Sequence, residues 1–109
     1  MATELKEKKC KPCRGDTSPL RGEDLAQYQE KIDNEWVAVN GHHLVREFEF
    51  DDYDQTMKFV NQVADLANQE EHHPDMKVSY GKVTVEIFTH KIDGLSENDF
   101  ILAAKIDEL

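Results

Sequence analysis

Residues 70–90, EEHHPDMKVSYGKVTVEIFTH, restrict the fold more than any other stretch of the chain. Just before them, Met57, Val60, Val63, Ala64 and Ala67 recur at steps of three and four, which predicts an amphipathic helix over 52–70. Pro74 disfavours helical geometry at His73, so that helix has to end here and the two adjacent imidazoles leave the backbone in different directions. Segments 76–80 and 82–89 then read as a hairpin around Gly81. Val83, Val85 and Ile87 lie on one face, and Thr84, Glu86, Phe88 and His90 on the other. The handover from helix to hairpin gathers three of the five histidines, with His90 ending a predicted strand that returns alongside His72 and His73. Histidine ordinarily titrates near neutrality, so three imidazoles facing one cleft can give and take protons.

The remaining segments complete a repeating order. Leu25, Tyr28 and Ile32 follow the turn-forming SPLRG at helical spacing and predict a short helix over 23–33. Segments 36–40 and 43–50 read as a hairpin with Asn40-Gly41 at the bend; Leu44, Phe48 and Phe50 share one face. Arg46 interrupts that face, so it either sits at an edge with its head in solvent or pairs with a carboxylate. Asp51, Asp52 and Asp54 suit the start of the long helix, where carboxylates satisfy free amides. Phe100, Ile101, Ala104 and Leu109 mark a terminal helix over 97–109 that packs back on the sheet. The order α-β-β-α-β-β-α predicts an α+β fold: a four-stranded antiparallel sheet with three helices on one face. Phe88 and the tyrosines make burial of the other face by a second subunit plausible.

A chain of 109 residues with 39% hydrophobic and 33% charged residues fits one globular domain, assigned to 18–109. Residues 1–17 carry almost no aliphatic content and read as a flexible arm. The net charge of -10 repels phosphate backbones and anionic lipid, leaving Lys6, Lys8, Lys9, Lys11 and Arg14 as the one basic run, read as a solvated tail. Neither a membrane-length apolar segment nor a secretory signal core is visible, which makes the cytoplasm the expected compartment. Cys10 and Cys13 form a lone CxxC, read as two reduced thiols. Zinc would need two further ligands, and a thioredoxin-like pair would need a preceding strand that ELKEKK does not provide.

Each candidate residue also has a plainer role. His72 and His73 could serve as a polar helix terminus, His90 as an exposed strand end, and His42 and His43 as surface residues of the first bend. Ser96-Glu97-Asn98-Asp99 resembles a capping box, so Asp99 could be a cap alone. Glu70, Glu71 and Asp75 beside the histidines suggest a metal site, but helical ligands recur at i and i+3 or i+4, and adjacent His72 and His73 diverge. No Ser or Cys nucleophile is tied to the histidines by a motif. General acid and base chemistry is the sharp reading that survives.

EEHHPD, VSYGKVTVEIFTH and GLSENDFILAAKID together resemble the pterin-4a-carbinolamine dehydratases, from about Pro19 to the C-terminus, and CKPCRG resembles the arm of microbial members. The resemblance implies a four-stranded sheet with three helices, assembled as homodimers or homotetramers. It implies dehydration of 4a-hydroxytetrahydrobiopterin to quinonoid dihydropterin, within tetrahydrobiopterin regeneration, without metal or redox cofactor. His72 and His90 take the acid and base roles, His73 binds the pterin and Asp99 supports the site. A protein-interaction role, like that of animal members that act as transcriptional coactivators, or a molybdopterin-related partner role, is the alternative. Met76, where an aromatic residue is common, implies either looser packing near the pocket or a differently shaped pocket, and Asn68, where some members carry an acid, weakens any reading in which a carboxylate there tunes the site.

Overall fold

A computed structural model describes residues 4–11 and 18–109. In chain order the elements are α1 (Gly22–Gln29), β1 (Val37–Val39), β2 (His43–Glu49), α2 (Tyr53–Glu70), β3 (Asp75–Ser79), β4 (Lys82–Ile87) and α3 (Glu97–Ile106), with single 3-10 turns at Leu5–Glu7 and His90–Ile92. The strands form one antiparallel sheet in the order β1-β2-β4-β3, so the two hairpins join through β2 and β4. This is the α+β architecture that the alternation predicts. Leu44, Val83, Val85 and Ile87 are fully buried on one face, under Val63 of α2 and Phe100, Ile101 and Leu102 of α3. The opposite face leaves Val37 58% exposed. Among the described residues no helix is long and apolar enough to cross a membrane.

Local chemistry explains the turns. Asn40 and Gly41 both take positive φ, 54° and 66°, and the His42 amide donates to the Val39 carbonyl at 2.9 Å, the mirror-image turn that matches strand twist. Gly81 is required by a close approach instead: a Cβ there would lie 2.8 Å from the Phe50 carbonyl oxygen. Asp52 caps α2, accepting from the Gln55 amide at 2.8 Å. Arg46 pairs with carboxylates rather than reaching solvent. Its Nη1 lies 2.8 Å from Asp107 Oδ1 and 3.5 Å from Asp33, and its guanidinium sits 4.5 Å from the Phe48 ring centroid.

Three expectations need correction. Helices α1 and α3 end earlier than the periodicity suggests, at Gln29 and Ile106, because the following residues tighten into i→i+3 turns. Strand β4 stops at Ile87, so His90 begins a 3-10 turn instead of ending a strand. The Thr89 amide donates to the Gly94 carbonyl at 2.8 Å, which pulls the chain out of the sheet. The largest difference concerns the segment read as an arm. In its described part Leu5 is 4% and Cys10 8% exposed, and three lysines of the basic run, though Lys6 and Lys9 stay exposed, each have a partner on the domain. Lys6 meets Glu108 at 3.0 Å, Lys8 meets Glu97 at 3.1 Å, and Lys9 donates to the Gln69 carbonyl at 3.0 Å. An acidic body supplies partners for such a run, and Leu5 and Cys10 join the hydrophobic core beneath it. Cys13 and Arg14 lie outside the described residues.

Candidate active site

The site begins where α2 stops. Glu71 adopts the left-handed conformation at φ 53°, the His72 amide donates back to the Ala67 carbonyl at 3.2 Å, and the Glu71 amide donates to Asn68 at 3.4 Å. These bonds form a Schellman termination, completed before Pro74 is reached. The turn aims His72 and His73 apart, as the proline implies. His72 Nε2 lies 2.6 Å from Asp99 Oδ1, whereas His73 Nε2 lies 3.0 Å from Asn68 Oδ1.

Asp99 is 0% exposed and sits in the first turn of α3. Its Oδ2 accepts from the Ser96 amide at 2.8 Å, which makes the capping box real, and from the Thr89 hydroxyl at 2.8 Å. Ser96 Oγ lies 2.8 Å from Thr89 Oγ1, so two hydroxyls and an amide surround one carboxylate oxygen. The other oxygen is left for His72. Asp99 is therefore both cap and imidazole partner. Donors surround Oδ2, so Oδ1 is the oxygen left to accept from Nε2 of His72; the tautomer that makes this bond leaves Nδ1 for exchange.

His90 is held differently. Its ring packs on Phe88 with centroids 4.1 Å apart, and its ring nitrogens have no hydrogen-bond partner among the described residues. Phe88 is backed in turn by His42, at 4.8 Å. His42 and His43 stay outside the cleft, but they are more than turn residues. His42 Nε2 meets Asp93 at 2.7 Å, and its Nδ1 lies 3.1 Å from His43 Nδ1.

One cleft of about 640 Å³ brings the three predicted histidines together, lined by His72, His73, His90, Phe88, Asn98 and the 9–11 segment, among others. Met76 packs against the hydrophobic core and does not itself line this cleft. Asn68 contributes by holding His73. Glu70, at the rim, accepts from the Cys10 amide at 2.8 Å and from Lys105 at 2.9 Å. Burial pushes its carboxyl up, but the hydrogen bonds from Lys105 and Cys10, with the Lys105 and Lys9 charges, outweigh burial and hold it below the usual range. Burial first, and the Glu70 carboxylate second, push the Cys10 thiol up to about 12, so it stays a protonated, unreactive thiol. Among the described residues no three His, Cys, Asp or Glu side chains converge as a metal-ligand set.

Sequence reasoning missed Thr89, Ser96 Oγ, Phe88 and the 9–11 wall. The hydroxyl pair had a legible signal, since Thr89 directly precedes His90 and Ser96 was already the predicted cap. The wall had none.

An α+β domain whose cleft gathers three imidazoles, one of them locked to a buried carboxylate, is furnished for proton transfer on a small ligand. The chain belongs to the pterin 4 alpha carbinolamine dehydratase family, whose sequence model matches residues 18–109. It is 48% identical over 104 residues to a protein of Alkaliphilus metalliredigens (strain QYMF) named "Putative pterin-4-alpha-carbinolamine dehydratase", covering 95% of this chain and 94% of that one. A protein of the same name from Rickettsia bellii (strain OSU 85-389) is 49% identical over 105 residues, covering 96% and 93%. Among solved structures, the "transcriptional coactivator/pterin dehydratase" from Brucella melitensis is similar with a TM-score of 0.77 and 28% identity, over 84% of this chain and 97% of that one.

Proposed function

We propose that this protein dehydrates 4a-hydroxytetrahydrobiopterin to quinonoid dihydropterin, as a step in tetrahydropterin regeneration. The observation that carries the reading is the convergence of His72, His73 and His90 on one cleft, with His72 bonded to the buried Asp99. Loss of water needs a proton delivered to the C4a hydroxyl and a proton removed from N5. Neutral His72 takes the N5 proton at Nδ1, and Asp99 stabilises the imidazolium that results. The N5 lone pair forms the new C4a–N5 double bond as the C4a–O bond breaks. Protonated His90, whose nitrogens have no partner among the described residues, gives its proton to the departing hydroxyl, which leaves as water. His73, steadied by Asn68, binds and orients the ring.

The test is an assay of the purified protein with chemically generated carbinolamine. His72→Ala and His90→Ala should each lower kcat by roughly 10²- to 10⁴-fold while circular dichroism stays native. Wild-type rates in both variants would remove the assignment. His73→Ala should mainly raise KM; a large fall in kcat at unchanged KM would contradict its binding role. The coactivator half of the Brucella relative's name supports a second reading, a pterin-binding interaction module, which predicts pterin binding without turnover. A dimer or tetramer belongs to the same reading, with a second copy covering the sheet face that exposes Val37. A monomer mass by sedimentation at micromolar concentration would rule it out.

A further inference from the structure

The segment before residue 18, where the family match begins, contributes part of the cleft. We propose that residues 9–11 are a specificity wall. Through the Lys9 and Lys11 ammonium groups the wall grips a hydroxylated side chain on the ring carbon next to the reacting nitrogen. The proposal rests on the dehydratase reading and adds the residues that discriminate the C6 side chain.

The wall is anchored on both helices that build the site. Toward α2, the Cys10 amide donates to Glu70 at 2.8 Å and Lys9 Nζ to the Gln69 carbonyl at 3.0 Å. Toward α3, the Lys11 amide donates to Asn98 Oδ1 at 3.0 Å, and Asn98 Nδ2 returns a bond to the Lys11 carbonyl at 2.6 Å. The Cys10 thiol reaches the Asn98 carbonyl at 3.5 Å, and Lys8 reaches Glu97 at 3.1 Å. Leu5, 4% exposed, pins the segment from its other end. A chain tied at this many points holds its shape with the cleft empty, so Lys9 and the backbone that carries Lys11 are already in place when substrate arrives.

The chemistry of the ring fixes what such a wall can read. The histidines act at C4a and N5, and N5 is bonded to C6, so a C6 substituent starts one bond from the reacting pair. A cleft of about 640 Å³, within the roughly 300–1,000 Å³ of small-molecule sites, has room for a substituent beside the bicyclic ring. Lysine presents three donors and no acceptor, and Lys9 spends one on Gln69. What remains suits hydroxyl oxygens and offers nothing to a bare methyl.

The experiment uses the full-length protein and two carbinolamines, one with a dihydroxypropyl group at C6 and one with methyl. Lys9 and Lys11 are exposed, so Lys9→Ala combined with Lys11→Ala preserves the fold. The double variant should raise KM for the dihydroxypropyl substrate by about tenfold. KM for the methyl substrate and kcat for both should stay within about twofold. Asn98→Ala, which unties the wall but keeps both lysines, should show the same selectivity. Equal changes for both substrates, or no change for either, would overturn the wall. Wild-type protein inert toward both carbinolamines would instead defeat the dehydratase reading. Fluorescence titration with oxidised biopterin and 6-methylpterin then decides the wall separately: a preference for biopterin in wild type that the double variant loses supports it, and equal preference in both proteins refutes it.

Discussion

The Asp99 carboxylate divides its two oxygens between tasks that elsewhere fall to separate residues. Oδ2 takes the Ser96 amide and the Thr89 hydroxyl, and Oδ1 takes the His72 ring at 2.6 Å. Asp99→Asn separates the two. The amide oxygen of an asparagine would still accept from Ser96 and Thr89, so the cap and the buried position survive. Its NH₂, however, would face Nε2 of His72 and force the proton onto Nδ1, the nitrogen proposed as the base. The expected result is a near-native urea midpoint with kcat reduced by at least about 10²-fold, the scale of a lost acid or base. Unchanged kcat would mean that His72 does not work as the base. The sequence supplied half of this arrangement. The spacing of Ser96 and Asp99 signalled a cap, but a contact between residues 72 and 99 depends on how two helices cross, and no local pattern encodes that.

Among the elements, the exit from α2 is costly. Glu71 holds φ 53°, a conformation worth roughly 1–2 kcal/mol of strain for a residue with a Cβ. Glycine relieves the strain and loses part of the gain, roughly 0.5–1 kcal/mol, to its greater freedom in the unfolded chain. Glu71→Gly should therefore stabilise by about 0.5–1 kcal/mol in urea denaturation. A destabilised variant would show that the Glu71 side chain contributes more than its backbone costs. Elements whose geometry is local were readable from sequence: the alternation of β4 named its buried face, and Asn40-Gly41 named its turn. The end of β4 was not, because Thr89 leaves the sheet for Gly94 and Asp99, partners supplied by later chain.

For the molecule as a whole, acid is the revealing perturbant. Glu70 is bound by Lys105, by the Cys10 amide and by the field of Lys9, and these outweigh burial to keep its carboxyl below the usual value near 4.5. Its contribution to stability is thus complete above that value and drains away as pH falls through the folded one. Urea midpoints taken from pH 7 down to about 3 should fall more steeply for wild type than for Glu70→Gln, with the two converging in acid. Parallel curves would show that the tie does not act through this proton. The first residues were the least legible part of the chain: LKEKKC offers only Leu5 and Cys10 for burial, and the rest of its docking comes from acids and carbonyls that fold beside it. Asp99 carries one more consequence. A carboxylate that opens a helix also steadies His72, so any fraying of that first turn on warming releases the proposed base. Heat inactivation should accordingly run several degrees ahead of the ellipticity melt.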